Sequence, residues 1–304
     1  MPVSQLEGLR VGWDSIGDGP AVVVFNGIGA DRSSTAQTAA WLAAEGFRAI
    51  TLDNPGAGQS ERSGGRCSTG LLADVAAALL DTLGVGQGHL FGHSMGGAIS
   101  QELALRRPDL VASLQLHCTW GRTDPYLAAL FESWGRLAEV VGPVAVWEHM
   151  LLWAMTPAFY HAHPEVVRQW LELIAGAPRS SADGFRDHVR ACVAHDTIDR
   201  LDVVTAPTLV TAGEFDLVCR PDHADAGCDP TRVVPRLGRR RPPPVRRGAR
   251  GVRRGGARVP TPLGRAPRPS VDADGEQNDR TLEDPLIGRV DVQQVEAVSD
   301  HGEK

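Results

Sequence analysis

The stretch Gly92-His93-Ser94-Met95-Gly96 places one serine between two glycines in a G-x-S-x-G pattern. The apolar run at 88–94 predicts a strand that leads into this turn, and the pattern at 95–108 predicts a helix that follows it. A serine in such a sharp turn is forced into a strained conformation that exposes its hydroxyl as a nucleophile. The Met95 amide would then lie at a helix N-terminus, where it can stabilise an oxyanion. The alternative is a chance turn in a chain rich in glycine and serine.

The loop Phe25-Asn26-Gly27-Ile28-Gly29 follows an apolar run at 21–27 that predicts a buried strand. Its place in the order makes the Ile28 amide the candidate for a second oxyanion donor. Any strand-to-helix turn favours glycine, so the loop alone is a weak indicator. The segment from Asp53 to Ser60 is predicted to be a tight structural loop near the site.

A serine nucleophile needs a general base, and the base needs a third group that holds its tautomer. Asp216 ends the apolar run at 206–216, which makes it the candidate for this third group. Glu214 is the rival candidate. In a further alternative, Asp216 only caps the turn in which it lies.

The elements that must position these residues follow from hydrophobic periodicity. Apolar runs alternate with helical patterns up to residue 118, which predicts a mostly parallel sheet with helices on both faces. The pattern is helical and interrupted by prolines between about 122 and 190, and it returns to a strand at 206–216. Strands are predicted at 9–17, 21–27, 48–54, 88–94 and 111–118, and helices at 35–47, 71–85 and 95–108.

The helical segment, together with Trp120 before it, holds five of the seven tryptophans. These aromatic side chains either fill a core of the segment itself or line an apolar substrate pocket. The residues predicted to line the pocket are His93, Trp120, Trp153 and Phe159. His93 and His117 flank strand ends, where they are expected to line or support the pocket rather than act as the base.

Residues 8–224 resemble the α/β-hydrolase fold family through NGIG, DNPGAGQS, GHSMGG and APTLVTAGEFD, which occur in the family's order. The resemblance implies an α/β fold whose core comprises 1–121 and 186–224, with a helical cap inserted at 122–185. The asparagine of NGIG looks like the enol-lactonase and related branches.

In site residues, the resemblance implies Ser94 as nucleophile, Asp216 as triad acid, and Ile28 and Met95 as oxyanion donors. A serine at the nucleophile position argues against an epoxide hydrolase or a dehalogenase, which use aspartate there. No metal and no organic cofactor is implied.

The resemblance breaks after Asp216, where the family has one more strand, a Gly-His that carries the base, and a closing helix. Here no histidine lies between His223 and His301. His223 is too close to Asp216, and His301 lies three residues from the C-terminus, so both are expected to be bystanders. The last strand, the closing helix and the catalytic histidine are therefore predicted to be missing. Residues 225–304 are predicted to form a disordered Arg/Pro/Gly-rich and polar tail.

Residues 231–270 contain thirteen arginines and no acidic residue. Three explanations compete: a basic arm that binds nucleic acid, a pseudoenzyme that has lost its base, and a shifted reading frame. The frameshift is favoured, because a GC-rich gene read out of frame yields runs of Arg, Pro, Gly and Ala. Shifting the frame by one nucleotide across Arg241–Val252 permits Gly-His-Leu-Pro-Phe-Asp-Glu-Glu-Pro-Glu-Glu-Phe, which looks like the missing segment.

The composition is that of a globular protein, with 42% hydrophobic residues and a net charge of −6. Without an apolar run of membrane-spanning length or a recognisable signal peptide, the chain is expected to be soluble and cytoplasmic. Its five scattered cysteines are expected to be free, mostly buried thiols. The expected partner is a small-molecule substrate, with no membrane and no nucleic acid, and the sequence indicates no oligomeric state.

Together these features predict a serine hydrolase that cleaves an ester, a lactone or a related acyl bond of a small apolar molecule through a Ser94 acyl-enzyme. Carbon–carbon bond hydrolases, thioesterases and cofactor-free haloperoxidases use similar parts on this fold and are alternatives. A non-catalytic binding protein is the alternative from another class, because the triad histidine is absent from its expected position. For the same reason the chain is expected to be weakly active or inactive.

Overall fold

The computed structural model describes residues 2–176, 180–220, 281–284 and 288–291. The described residues between 2 and 220 belong to one compact unit. The described residues do not include His223, Cys228, His301 or the arginine-rich block. The prediction that the last strand and the closing helix are missing also concerns residues outside the described ranges.

A seven-stranded sheet forms the centre of this unit, in the order β1-β2-β4-β3-β5-β6-β7. Strands β3 to β7 pair in parallel with their neighbours, and β2 is antiparallel to both β1 and β4. This is the predicted α/β fold with a mostly parallel sheet, so the fold class is confirmed. The strands are β1 (Val3–Leu6), β2 (Leu9–Ile16), β3 (Ala21–Phe25), β4 (Arg48–Leu52), β5 (Gly88–His93), β6 (Val111–His117) and β7 (Thr208–Thr211).

Three core helices cover the two faces of this sheet. Successive side chains of a strand point to opposite faces, so the apolar strands need a helix on each side. Val22 and Val24 of β3 pack in a small cluster with α1, whereas Val23 and Phe25 belong to the large cluster that contains α2 and α3. Every residue of β3 is buried, as expected for a strand with helices on both faces. The helices are α1 (Ala36–Ala44), α2 (Thr69–Thr82) and α3 (Met95–Arg106).

The segment between β6 and β7 is helical, as predicted, and four of its prolines mark helix starts rather than interruptions. Proline suits the first turn of a helix, because the amide that it lacks would have no partner there. Asp124 and Thr156 cap two of these starts by accepting the amides of Leu127 and Phe159. The helices are α4 (Pro125–Val141), α5 (Pro143–Ala154), α6 (Pro157–Ala162), α7 (Pro164–Gly176) and α8 (Ala182–Val193).

The structure also contains strands that the sequence did not predict. Strand β1 has only four residues, which is too short for an alternating pattern to be recognised. In the predicted tail, β8 (Thr281–Asp284) and β9 (Gly288–Asp291) pair in a separate two-stranded sheet where no regular structure was expected. These strands are equally short, and the rest of the tail lies outside the described residues.

Four of the five cysteines are described, and all four are free thiols, as expected. Cys67, Cys192 and Cys219 are buried and Cys118 is half-buried. None of the described helices combines the length and the apolar character that crossing a membrane requires.

Candidate active site

Ser94 lies in the turn between β5 and α3 with φ 55° and ψ −121°. A positive φ is strained for a residue with a side chain, so the surrounding contacts must enforce it. The flanking glycines permit the turn. A Cβ on Gly92 would lie 2.5 Å from the Gly96 carbonyl oxygen, and a Cβ on Gly96 would lie 2.7 Å from the Phe25 carbonyl carbon. The G-x-S-x-G motif therefore occupies the strand, turn and helix that its sequence context predicts.

Hydrogen bonds hold the strained turn from two sides. The Ser94 amide donates to the His117 carbonyl oxygen at 2.9 Å, which ties the turn to the end of β6. The Ser94 carbonyl oxygen accepts the Gly97 amide at 2.9 Å and the Thr119 hydroxyl at 2.8 Å. The backbone of Ser94 is thus fixed by α3 and by the chain that follows β6.

The loop 26–29 lies against this turn, since a Cβ on Gly27 would be 3.6 Å from the Ser94 Cβ. The buried Asn26 side chain anchors the loop. Its Nδ2 donates to the Leu52 carbonyl oxygen at 3.2 Å, and its Oδ1 accepts the Ser34 hydroxyl at 3.0 Å. The loop is therefore fixed to β4 and to the segment before α1.

The amides of Ile28 and Met95 are the predicted oxyanion donors. Met95 is the first residue of α3, so its amide has no partner inside the helix. Within the part of the chain that the structure describes, neither the Ile28 amide nor the Met95 amide donates a hydrogen bond. Both can donate to a ligand oxygen, helped at Met95 by the helix dipole.

Asp216 follows β7 and is half-buried, whereas its rival Glu214 is exposed. Its Oδ1 accepts the Val218 amide at 2.8 Å and the Cys219 amide at 2.9 Å. The carboxylate also accepts a hydrogen bond from the Cys118 thiol. The two amide bonds are those that the turn-capping alternative predicts. The contact with Cys118 shows in addition that the Asp216 carboxylate faces the chain that follows β6.

Two thiols that belong to no sequence motif, Cys118 and Cys219, lie near Asp216, and Cys219 also lies near Ser94. The side chains of Ser94 and Cys219 are hydrogen-bonded to each other, and burial raises the pKa of the Cys219 thiol well above its usual range. Burial and the nearby Asp216 charge raise the pKa of Cys118 to about 12. Both sulfurs are therefore protonated and neutral at pH 7. Among the described residues, no group of three or more His, Cys, Asp or Glu side chains could hold a metal ion.

A sequence model described as the alpha/beta hydrolase fold matches residues 20–229, which include loop 26–29, the Ser94 turn and Asp216. The chain belongs to the alpha/beta hydrolase fold family. The family predicted from the motifs is thereby confirmed, and with hydrolases and esterases among its relatives the chain is an enzyme of the hydrolase kind.

Three similar proteins illustrate the relationship. A protein of Variovorax paradoxus (strain S110) named "Putative carbamate hydrolase RutD" is 30% identical over 201 residues, 66% of this chain and 75% of that protein. A thermophilic esterase from Thermogutta terrifontis, with malate bound, is 27% identical with a TM-score of 0.65, covering 74% of this chain and 85% of that one. An enol-lactonase from Burkholderia xenovorans LB400 is 24% identical with a TM-score of 0.65, covering 73% of this chain and 85% of that one. At this identity the likeness shows the fold alone.

The two histidines at the strand ends of this hydrolase are neighbours, because His93 and His117 are register partners in β5 and β6. His117 Nδ1 lies 2.6 Å from the Thr211 hydroxyl, and its ring packs on Phe91 at a centroid distance of 4.5 Å. Burial, together with the nearby His93, lowers the pKa of His117 to about 3. A group this weakly basic is a poor general base at pH 7, so its contacts fit the predicted supporting role.

The aromatic residues predicted to line the pocket of the hydrolase make contacts within apolar clusters. The Trp120 indole is buried and donates to the Thr123 hydroxyl at 2.8 Å. Phe159 stacks on Trp170 with a centroid distance of 5.5 Å, and the half-buried Trp153 donates to His149 at 3.0 Å. Trp120 and Trp153 pack in or against the large cluster that also contains α2 and α3, whereas Phe159 and Trp170 belong to a separate small cluster of the helical segment. A role of His93, Trp120, Trp153 and Phe159 in substrate binding stays a prediction.

Proposed function

We propose that this chain is a serine hydrolase acting on an ester, a lactone or a related acyl bond of a small apolar molecule. The observation that carries the proposal is the strained Ser94 turn, which lies between the N-terminus of α3 and the loop 26–29. A carbonyl group bound beside Ser94 would have its oxygen near the amides of Ile28 and Met95. That arrangement favours the negative charge that develops when the carbonyl carbon is attacked.

In the proposed reaction, Ser94 Oγ attacks the carbonyl carbon and the leaving group departs, which produces an acyl-enzyme. Water then releases the acid and restores the serine. A base must take the Ser94 proton and return it to the leaving group, and Asp216 would orient that base. The named activities of the RutD relative and of the esterase both involve an acyl carbon, so they support this reaction class.

We expect only weak activity from the chain as it stands, because no histidine stands in the sequence where the catalytic base is expected, between His223 and His301. The raised pKa keeps Cys219 protonated, so it cannot accept the Ser94 proton at pH 7. The family match ends at residue 229, before the arginine-rich block. We attribute the missing histidine to a reading frame that shifts after Asp216, between about residues 224 and 240.

Hydrolysis of p-nitrophenyl butyrate tests the proposal. We expect slow turnover by the 304-residue protein, roughly 10³- to 10⁴-fold above the reaction in water, since that is what an oxyanion hole and binding supply without a base. Ser94→Ala should abolish the slow covalent labelling of the protein by a fluorophosphonate, because that label reports on the serine hydroxyl, whereas the residual turnover does not require it. Ser15→Ala is the matched control, because Ser15 is exposed on β2, where its hydroxyl accepts only an Arg48 bond at 3.0 Å.

Three results would contradict parts of this proposal. Fluorophosphonate labelling that Ser94→Ala leaves unchanged would exclude Ser94 as the nucleophile. Rapid turnover that depends on Ser94 would show that a base is present after all. For the frameshift, the gene should be translated in all three frames from codon 216 onward. If a frame-corrected protein is not labelled at Ser94 by a fluorophosphonate, the non-catalytic binding alternative is favoured instead.

A further inference from the structure

His188 is a fully buried histidine of α8 that bonds to two loops of the core at once. Its Nδ1 lies 3.0 Å from the Gly29 amide nitrogen, and its Nε2 lies 2.9 Å from the Pro55 carbonyl oxygen. An amide can only donate, so Nδ1 must carry a lone pair, and the ring proton must be on Nε2, where it donates to Pro55. Both nitrogens of a neutral imidazole are thereby used.

The first turns of α8 press directly on the same two loops. A Cβ on Gly29 would lie 2.7 Å from the Phe185 ring, and Gly29 has φ 68°. A Cβ on Gly184 would lie 2.9 Å from the Gly56 carbonyl carbon. Only glycine fits at these points, so the distance between α8 and the loops is fixed by backbone contact. His188 therefore has little freedom to reach other partners.

Both peptide groups that flank Ile28 are held by hydrogen bonds. The Gly27 carbonyl oxygen, which belongs to the same peptide group as the Ile28 amide, accepts the Ala30 amide at 3.4 Å. The next peptide group is held through the Gly29 amide by His188. Because peptide groups are planar, fixing both of them limits the directions in which the Ile28 amide can point.

We propose that His188 is a positioning residue that, by binding the Gly29 amide, orients the Ile28 amide toward the substrate carbonyl oxygen. This inference rests on the proposed function, because Ile28 is an oxyanion donor only if Ser94 attacks an acyl carbon. His188 acts through the loop and does not touch the substrate. Through His188, helix α8 supports the loop 26–29 in addition to being part of the helical segment between β6 and β7.

Two isosteric substitutions separate this role from a merely structural one. In His188→Asn the side-chain oxygen can replace Nδ1, so the bond to Gly29 is kept. In His188→Gln the side-chain amide can replace Nε2, so the bond to Pro55 is kept and that to Gly29 is lost. His195→Gln is the matched control, since His195 is also buried but bonds to Thr69 and Gln101 instead.

Hydrogen exchange of the Gly29 amide in the full 304-residue protein is the primary measurement, with Val23 in β3 as the reference for overall protection. We expect exchange at Gly29 to rise about tenfold in His188→Gln while Val23 is unchanged, the effect of losing about one net hydrogen bond. In His188→Asn and His195→Gln it should stay near the parent value. If Gly29 exchange responds equally to Asn and Gln, or changes only together with Val23, the positioning role is wrong.

Turnover of p-nitrophenyl butyrate provides the second readout. His188→Gln should lower kcat about tenfold with KM unchanged, because misplacing an oxyanion donor weakens binding of the transition state and not of the substrate. His188→Asn should restore most of kcat. An unchanged kcat in His188→Gln, despite faster Gly29 exchange, would overturn the inference. Fluorophosphonate labelling that does not depend on Ser94 would instead refute the proposed function, and the exchange result would still decide whether His188 holds the loop.

Discussion

The turn around Ser94, here called the nucleophile half of the site, and the turn around Asp216, called the acid half, differ in the contacts that fix their conformation. Ser94 is fixed by backbone contacts of flanking glycines and by hydrogen bonds from β6 and α3. The amides that Asp216 accepts belong to residues only two and three positions further along the chain. Next to it, Phe215 and Leu217 are 61% and 52% exposed.

Ser94 is thus held by contacts that lie within residues 25–119, whereas the Asp216 carboxylate is held by amides of its own turn and contacts Cys118 at the end of β6. Substitutions in either half, and protonation of histidines at the junction between them, are expected to lower the free energy of unfolding by different amounts.

The largest effect is expected when the close packing of the nucleophile half is broken. Gly96→Val would push a branched side chain into the Phe25 backbone, 2.7 Å from its carbonyl carbon, where neither element can move. We expect a loss of roughly 5 kcal/mol in the free energy of unfolding, measured by urea denaturation. Gly86→Ala is the control, since a Cβ there meets nothing within 4 Å, and it should change the free energy by less than about 0.5 kcal/mol. Similar values for the two variants would contradict this account.

A second test concerns acid, because three buried histidines, His117, His188 and His195, are neutral in the folded state. Burial lowers the pKa of His117 to about 3 and that of His195 to about 4, from 6.5 in an unfolded chain. Protons therefore bind the unfolded chain first. The stability is fully present above pH 6.5 and is lost as the pH falls toward the folded values. At pH 5 the loss should be roughly 2 kcal/mol for each group.

Urea denaturation at pH 7.5 and pH 5 measures this loss. His117 lies at the end of β6, between β5 and β7, so acid should weaken the junction of the two halves. His195 is also near Glu102, Asp196 and Arg200, whose opposing charges change its pKa less than burial does. His195→Gln should remove roughly 2 kcal/mol of the pH-dependent loss. A free energy of unfolding that is constant between these pH values would refute the prediction.

The smallest effect is expected in the acid half. Asp216→Ala removes an oxygen that accepts two amides, so we expect a loss of about 1–2 kcal/mol in the free energy of unfolding. Glu214→Ala is the matched control, because the Glu214 side chain is exposed, and it should have an effect below about 0.5 kcal/mol. Equal effects of the two substitutions would mean that the turn does not depend on the Asp216 carboxylate.

The parts of the fold that local sequence determines could be predicted. The apolar run at 88–94 and the glycines around Ser94 were sufficient, because strand, turn and helix are contiguous. Strand β1 was missed because four residues carry too little periodicity.

The contacts of the site that join distant parts of the chain could not be predicted. His188 binds Gly29 across 159 residues of sequence, and nothing near either residue indicates the other. The bond between Cys219 and Ser94 likewise depends on the parallel order of β5, β6 and β7, which brings together turns that are far apart in sequence.

The prolines that begin α4, α5, α6 and α7 limit how the helical segment between β6 and β7 can change in sequence and length. Each proline sets a fixed start, so a helix cannot extend backwards into its predecessor or slide in register. Between α4 and α5 only Gly142, with φ 84°, separates one helix from the next. The length or sequence of one of these helices can therefore be exchanged without shifting the start of the next.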